Sequence, residues 1–315
     1  MKILVFGKDG QLGKAFQKIL DASSGSHQIQ YVGRTECDLS DAAQISALLD
    51  SYQPDLVINA AAYTAVDKAE QEIDLAFAIN AIAPEVMARY CAEHGACLLH
   101  YSTDYVFDGS GSEFYLENQA TGPLGVYGKS KLAGEQAVEK VFQTSAKGAR
   151  YAIFRTSWVY GMGGNFIRTI LRLAKEREEL KVIHDQYGVP TDANWLAQVS
   201  LALSLDDHGQ LRSFPSGIYH AVPAGETTWH GLACLAVQAS VDAGVAMKAL
   251  PTSIKPIPAT ECPLPAPRPM NSRMSTQKLQ KALQDLGDPG LMSKFPQWDQ
   301  QVRSYVAELA KNQLI

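Results

Sequence analysis

The pair best suited to proton chemistry is a tyrosine and a lysine four residues apart, in Tyr127-Gly128-Lys129-Ser130-Lys131. That spacing puts both side chains on one helical face, so the ammonium can lie beside the phenol. A phenol with an ordinary pKa of about 10 is a reluctant acid, and a neighbouring cation is expected to draw it down toward working pH. Such a tyrosine can protonate a carbonyl oxygen while hydride arrives on carbon. Ser102-Thr103-Asp104 ends a candidate strand upstream, where the Thr103 hydroxyl can hydrogen-bond and orient the same oxygen. Taken alone, Tyr-x-x-x-Lys is a weak signal that usually belongs to a surface.

A hydride source needs a phosphate grip, and the chain opens with one. Lys2 to Phe6 reads as a strand that runs into Gly7-Lys8-Asp9-Gly10-Gln11-Leu12-Gly13, a GxxGxxG turn that begins a helix. Glycines there permit a tight turn and close approach of backbone to a pyrophosphate, whose charge sits on exposed helix N–H groups. After the second candidate strand, where an acid would grip the ribose of NAD, stands Arg34. Its guanidinium suits a 2′-phosphate, which favours NADPH over NADH; the alternative is a solvated loop charge. The combination of GxxGxxG, a Ser-Thr strand end and Tyr-x-x-x-Lys is specific where each part is not.

These residues need a scaffold, and the first 160 residues supply its pattern. Short β-branched runs (Lys2 to Phe6, Ile29 to Val32, Leu56 to Asn59, Cys97 to Ser102, Tyr151 to Thr156) alternate with helical spacing at Leu12 to Asp21, Ala42 to Ser51, Asp74 to His94 and Ser130 to Phe142. This predicts an α/β fold, a doubly wound parallel Rossmann sheet with a smaller C-terminal substrate-binding lobe. Residues 1–160 form the NAD(P)-binding part, with returns from about 185–215; residues 161–184 and 216–315 form mainly the lobe. Seven prolines between Pro251 and Pro269 forbid regular helix there and suggest a surface linker, with Arg268 and Arg273 leaving a lid or phosphate clamp open.

Bulk properties narrow the classes. A net charge of −5 offers no field for nucleic acid or an anionic membrane. The five cysteines, Cys37, Cys91, Cys97, Cys234 and Cys262, show neither disulfide nor zinc spacing, and reduced thiols are expected. The histidines show no metal-ligand spacing. The apolar run at Ile3 to Phe6 is too short for a signal segment and no long apolar window follows, so a cytoplasmic protein is expected. Asn80 reads first as a backbone or water partner that can also support Lys131 through water. Trp158 reads as core or as a ring facing the substrate.

The chain resembles the dTDP-4-dehydrorhamnose reductase family through most of its length. The likeness runs through FGKDGQLG, CDLSD, VINAAAYTAVDKAE, HYSTDYVFDG, VYGKSKLAGE, FRTSWVYG, GNFIRTILRLAKE, DQYGVPT, GIYHAVPAGETTW and RPMNSR. It implies reduction of a dTDP-4-keto-6-deoxy sugar at C4 by hydride from NADPH or NADH, with Thr103, Tyr127 and Lys131 as the catalytic trio. It further implies Gly10, Gln11 and Leu12 on the pyrophosphate, Asp38 and Leu39 at the adenine, and Ala62, Tyr63 and Thr64 along the middle of the cofactor. Tyr101 would approach the nicotinamide, Asp104 and Trp158 the sugar nucleotide, and Arg268 and Arg273 the diphosphate. Some members are associated with Mg2+ and dimer contacts through carboxylates; this chain has Ala15 and Asn194 there, so a metal-linked dimer is not expected and a monomer or plain homodimer is. The stretch from Phe142 to Gly148 looks longer than in the family and reads as a surface insertion. Two rivals share the motifs. A dehydratase needs a further acid beside Thr103-Asp104, where this chain has Tyr105, and an epimerase would show no net cofactor consumption. The regulatory β subunit of methionine adenosyltransferase would bind NADP without turnover.

Overall fold

A computed structural model describes residues 1–23, 27–145, 148–287 and 295–315. In it the apolar runs pair into one parallel sheet: β1 (Lys2–Phe6), β2 (Gln28–Val32), β3 (Leu56–Asn59), β4 (Cys97–Thr103), β5 (Arg150–Thr156) and β10 (Gly217–His220), in the order β10-β5-β4-β3-β1-β2. β3 and β4 are buried along their whole length because helices cover both faces, which is why they read as unbroken apolar runs rather than alternating ones. One face packs on α1 (Gln11–Ala22), α8 (Ala193–Ser204) and α10 (Gln277–Asp285), where Phe16, Leu196 and Leu279 meet Ile3, Leu99 and Phe154. The other packs on α2 (Ala42–Tyr52), α5 (Ala83–His94) and α6 (Val126–Gln143), through Leu49, Met87 and Val138 against Leu4, Leu98 and Ile153.

The chain's returns to this sheet run further than the sequence suggests. Its edge strand β10 and the covering helix α10 both come from the span 216–315, which the sequence pattern assigns mainly to the lobe. β10 pairs in register from Gly217 with Ala152 to His220 with Arg155. Four residues are too few to carry a periodicity, so its partner is not readable from the sequence. The single helix expected over Asp74 to His94 is present as one unbroken helical run, with a π-helical turn inside it. α3 (Val66–Ala69) and α4 (Ile73–Phe77) lead into a π-helical turn at Ala78–Ile82 before α5 begins.

The smaller lobe uses two-residue and four-residue pairings: β6 (Val159–Tyr160) with β9 (Thr191–Asp192), β7 (Leu180–Ile183) with β12 (Ile254–Ile257), and β8 (Tyr187–Gly188) with β11 (Thr227–Thr228). α7 (Phe166–Glu176), α9 (Trp229–Asp242) and α11 (Trp298–Lys311) close its core through Leu171, Leu232 and Val306. The proline-rich segment is built into this lobe. Pro256 lies within β12, which a two-stranded pairing tolerates because its other edge is free. Part of the 142–148 insertion, residues 146–147, lies outside the described residues. No helix among the described residues is long and apolar enough to cross a membrane, and all five cysteines are free thiols.

Candidate active site

The chain leaves β1 toward β2 on one side and crosses to β3 on the other, so a crevice opens at the carboxyl ends of β1 and β3. The glycine turn forms its floor. Gly7 has φ +88°, and a Cβ there would stand 2.8 Å from the Ala60 carbonyl carbon and the Ala61 nitrogen. A Cβ on Gly13 would stand 2.0 Å from the Gly7 oxygen, so the helix reaches the turn only as glycine. Gly10 is the N-cap of α1, which has no side-chain cap and no acid in its first turn. Its first N–H groups and the positive end of its dipole therefore remain available to an anion. This is the donor set a dinucleotide pyrophosphate requires.

The cleft above the turn has a volume of about 810 Å³, ample for a dinucleotide with substrate space beside it. Gly7, Gly10, Gln11 and Leu12 line its middle, Arg34, Asp38 and Leu39 the side beyond β2, and Ala62 and Thr64 the segment after β3. Tyr101, Thr103, Asp104, Tyr127, Lys131 and Trp158 line the side beyond β4 and β5. Gly13 lies beneath the turn rather than in the wall. Tyr63 does not line the cleft: its ring is buried, its hydroxyl donates to Glu72, and its backbone N–H and carbonyl are both held by Asn80. Arg268 and Arg273 are also outside the cleft wall. Arg268 pairs with Asp67 at 2.9 Å, and Arg273 pairs with Glu226 while its guanidinium sits 4.1 Å from the Tyr187 ring centre.

Tyr127 and Lys131 occupy the first two turns of α6. Lys131 is 1% exposed, and its Nζ donates to the Tyr101 carbonyl at 2.5 Å. Burial lowers its pKa to about 8, against the opposing charge of Glu135. Tyr127 departs from the sequence expectation, because burial pushes it up to about 12 and outweighs the Thr103 hydroxyl, while the Asp104 charge adds to the rise. The expected downward pull of the ammonium is not what dominates in this state; the desolvation of the phenol is larger. The consequence is a phenol that is fully protonated at neutral pH, as a proton donor must be.

Thr103 closes β4, and its Oγ1 donates to Asp104 Oδ1 at 2.9 Å while accepting from the Tyr105 N–H at 3.2 Å. Asp104 is 2% exposed, and burial pushes its carboxyl up to about 6. Its Oδ2 accepts from Ser272 Oγ at 2.5 Å, a contact that sequence reasoning missed. The π-helical turn places Asn80 so that its side chain bridges both polar groups of the Tyr63 backbone and donates to Ser130 Oγ at 3.0 Å. Ser130 in turn donates to the Tyr127 carbonyl at 2.8 Å, which fixes the start of α6. Trp158 adopts φ +48° and stacks on Trp229 at 3.7 Å, so two indoles form one side of the cleft. A non-glycine residue held in this region costs on the order of 1–3 kcal/mol and marks sites where position matters more than stability.

A second missed feature lies under α6. Glu135 and Arg155 form a bidentate pair, Nε to Oε1 at 2.9 Å and Nη2 to Oε2 at 2.7 Å, with both side chains buried. Glu135 stands one helical turn beyond Lys131, a spacing that signals its nearness to the lysine but not its pairing with Arg155. Among the described residues, no cluster of three or more His, Cys, Asp or Glu side chains could hold a metal ion.

Comparison with known proteins agrees with this geometry. The family model for the RmlD substrate binding domain matches residues 1–311. A dTDP-4-dehydrorhamnose reductase of Escherichia coli (strain K12) is 44% identical over 293 residues, covering 89% of this chain and 91% of that protein. The Salmonella typhimurium enzyme of the same name is 40% identical and covers 98% of each. Among solved structures, the dTDP-4-dehydrorhamnose reductase of Bacillus anthracis in complex with NADP superposes with a TM-score of 0.82 at 32% identity, over 98% of this chain and 99% of that one. The UDP-glucose 4-epimerase of Thermus thermophilus, at 19% identity and a TM-score of 0.75 over 97% and 98% of the two chains, shares the fold alone. Matched over residues 1–311 by the family model and at 40–44% identity by these reductases, the chain belongs to the dTDP-4-dehydrorhamnose reductase family.

Proposed function

We propose that this protein reduces dTDP-4-dehydro-β-L-rhamnose to dTDP-L-rhamnose, using NADPH or NADH. The observation that carries the reading is that Thr103, Tyr127 and Lys131 open into the same cleft as the uncapped start of α1. A reduced nicotinamide bound in this cleft would supply the hydride that the reduction needs at C4 of the sugar. Tyr127 gives its proton to the C4 oxygen, and the Lys131 ammonium stabilises the phenolate left behind. Thr103 orients the oxygen once its hydroxyl proton turns from Asp104 Oδ1 to the substrate, and Lys131, anchored on the Tyr101 carbonyl, is held in place without its own rearrangement. Arg34 at the cleft rim supports the 2′-phosphate of NADPH, and the bound NADP of the Bacillus anthracis relative favours the same preference. Asp38 and Leu39 would hold the adenine, and Ala62 and Thr64, with Tyr63 acting only through its backbone clamp with Asn80, would hold the middle of the cofactor.

The Trp158–Trp229 stack offers the sugar nucleotide an apolar wall, and Asp104 borders the same space. Arg268 and Arg273 reach a diphosphate only by exchanging Asp67 and Glu226 for it. Five free thiols suit a reducing cytoplasm, and Ala15 and Asn194, where some relatives carry carboxylates, favour a monomer or a homodimer without bridging Mg2+. Purified protein with NADPH and the 4-keto sugar nucleotide should consume one cofactor per sugar reduced. Tyr127→Phe should still bind NADPH yet lose turnover by at least about 100-fold. Turnover without net NADPH oxidation, or Tyr127→Phe at wild-type rate, refutes the reading.

A further inference from the structure

Asp104 is buried with both carboxylate oxygens engaged, Oδ1 by Thr103 and Oδ2 by Ser272. The second partner lies 168 residues away in sequence and reaches the site on a strap, residues 266–275. The strap is fastened at both ends and in the middle. The Ala266 N–H donates to Asp67 Oδ1 at 3.1 Å, the Asn271 N–H to the Gly109 carbonyl at 3.0 Å, and the Ser275 N–H to the Tyr115 carbonyl at 2.9 Å. Ser272 itself donates its N–H to the Tyr187 carbonyl at 2.8 Å and is 2% exposed. Its hydroxyl is therefore delivered to Asp104 by fixed backbone rather than by a mobile surface side chain.

A threonine hydroxyl has one proton to give and two lone pairs to offer. Thr103 gives its proton to Asp104 Oδ1 and uses one lone pair on the Tyr105 N–H, so the carboxylate's orientation decides where the remaining lone pair points. We propose that Ser272 is a positioning residue for the reduction: by holding Asp104 Oδ2 it fixes the Thr103 hydroxyl beside Tyr127 and ties the strap to the proton-transfer geometry. This rests on the reductase reading given above. Without Ser272 the carboxylate keeps one anchor, and the threonine follows it as it rotates.

Asp104's titration supports the geometry. Of the interactions that oppose its upward shift, the hydrogen bond from Ser272 is the largest, ahead of that from Thr103. The titratable groups facing it are Tyr105, next in the chain, and Tyr127 from α6, while Arg273 of the strap is engaged by Glu226. Removing a donor to the ionised form raises a carboxyl pKa further.

The test compares Ser272→Ala, Ser272→Thr and Ser272→Cys in the full-length protein. Ser272→Ala should lower kcat about tenfold, leave KM for NADPH unchanged, and move the acid limb of the kcat profile up by about one pH unit. Ser272→Thr should restore both, and the weak thiol donor of Ser272→Cys should fall between. A Ser272→Ala profile with an unmoved acid limb, or a loss that Ser272→Thr does not restore, overturns the proposal. If Ser272→Ala does not fold, the Ser272→Cys limb decides in the same way. The 13C titration of the Asp104 carboxyl, read with no substrate present, should show the same rise. It separates the two readings: failure of the wild type to reduce the sugar sinks the reductase assignment, while a Ser272→Ala carboxyl that titrates as in the wild type sinks the role of Ser272.

Discussion

Replacing Glu135 by glutamine should damage both the fold and the alkaline side of the activity profile. The carboxylate receives two guanidinium hydrogen bonds, and the side chains of Glu135 and Arg155 are 1% and 3% exposed. Glutamine has nearly the same volume, so no cavity opens; what changes is that the Arg155 charge stays buried without a counter-charge. Breaking such a pair from one side costs about 3–5 kcal/mol. With an unfolding entropy of roughly 2.1 cal/mol/K per residue over 315 residues, this corresponds to a fall in Tm of about 5–8 °C.

The catalytic effect has a definite sign. Glu135 raises the Lys131 pKa against burial, which alone lowers it. Removing its charge moves Lys131 below about 8, so the ammonium is lost at lower pH and the alkaline limb of kcat shifts down. The stability linkage runs the other way in pH. Because the folded lysine titrates below its unfolded value, ionised Lys131 costs stability below the folded pKa, and that cost fades as pH rises toward the unfolded pKa. Thermal melts at neutral pH, and kcat against pH at saturating cofactor, measure the two consequences separately. A Tm within about a degree of wild type together with an unmoved alkaline limb would refute the reasoning. Glu135→Leu combined with Arg155→Met should recover much of the stability without recovering the limb.

Two further substitutions probe the cofactor grip. Gly13→Ala places a Cβ 2.0 Å from the Gly7 oxygen, so α1 must move off the turn; NADPH affinity by fluorescence titration should fall at least about tenfold, and unchanged affinity would show that the close approach is dispensable. Arg34→Ala should raise KM for NADPH about tenfold relative to that for NADH, since a guanidinium–phosphate contact is charge-assisted, and an unchanged ratio would return Arg34 to the status of a solvated loop charge.

What the sequence made legible was local. The glycine turn between β1 and α1, the one-face spacing of Tyr127 and Lys131, and the end of β4 at Thr103 each follow from a few adjacent residues, and the structure brings them to one cleft. What it hid was long-range pairing among ordinary residues. Nothing around Arg155 marks Glu135 as its partner, and nothing in the proline-rich stretch announces that Ser272 meets Asp104. The helix read over Asp74 to His94 does run unbroken, but its apolar spacing does not announce the wider π-helical turn that presents Asn80 to the Tyr63 backbone. The Tyr127 shift runs opposite to the direction that spacing suggests for a related reason. Spacing shows that a cation is near, but only the packed structure shows how deeply the phenol is buried.

The position of β10 bears on how the chain is made. β5 and its last neighbour in the sheet are separated by the 60 residues from 157 to 216, all of which must leave the ribosome before that edge is covered. During that interval β5 presents a buried-type, apolar strand with a free row of backbone donors and acceptors, the kind of edge that recruits other chains. Lowering the synthesis rate through residues 157–216 should therefore increase aggregation of nascent protein, whereas the same slowing once β10 has emerged from the ribosome should not.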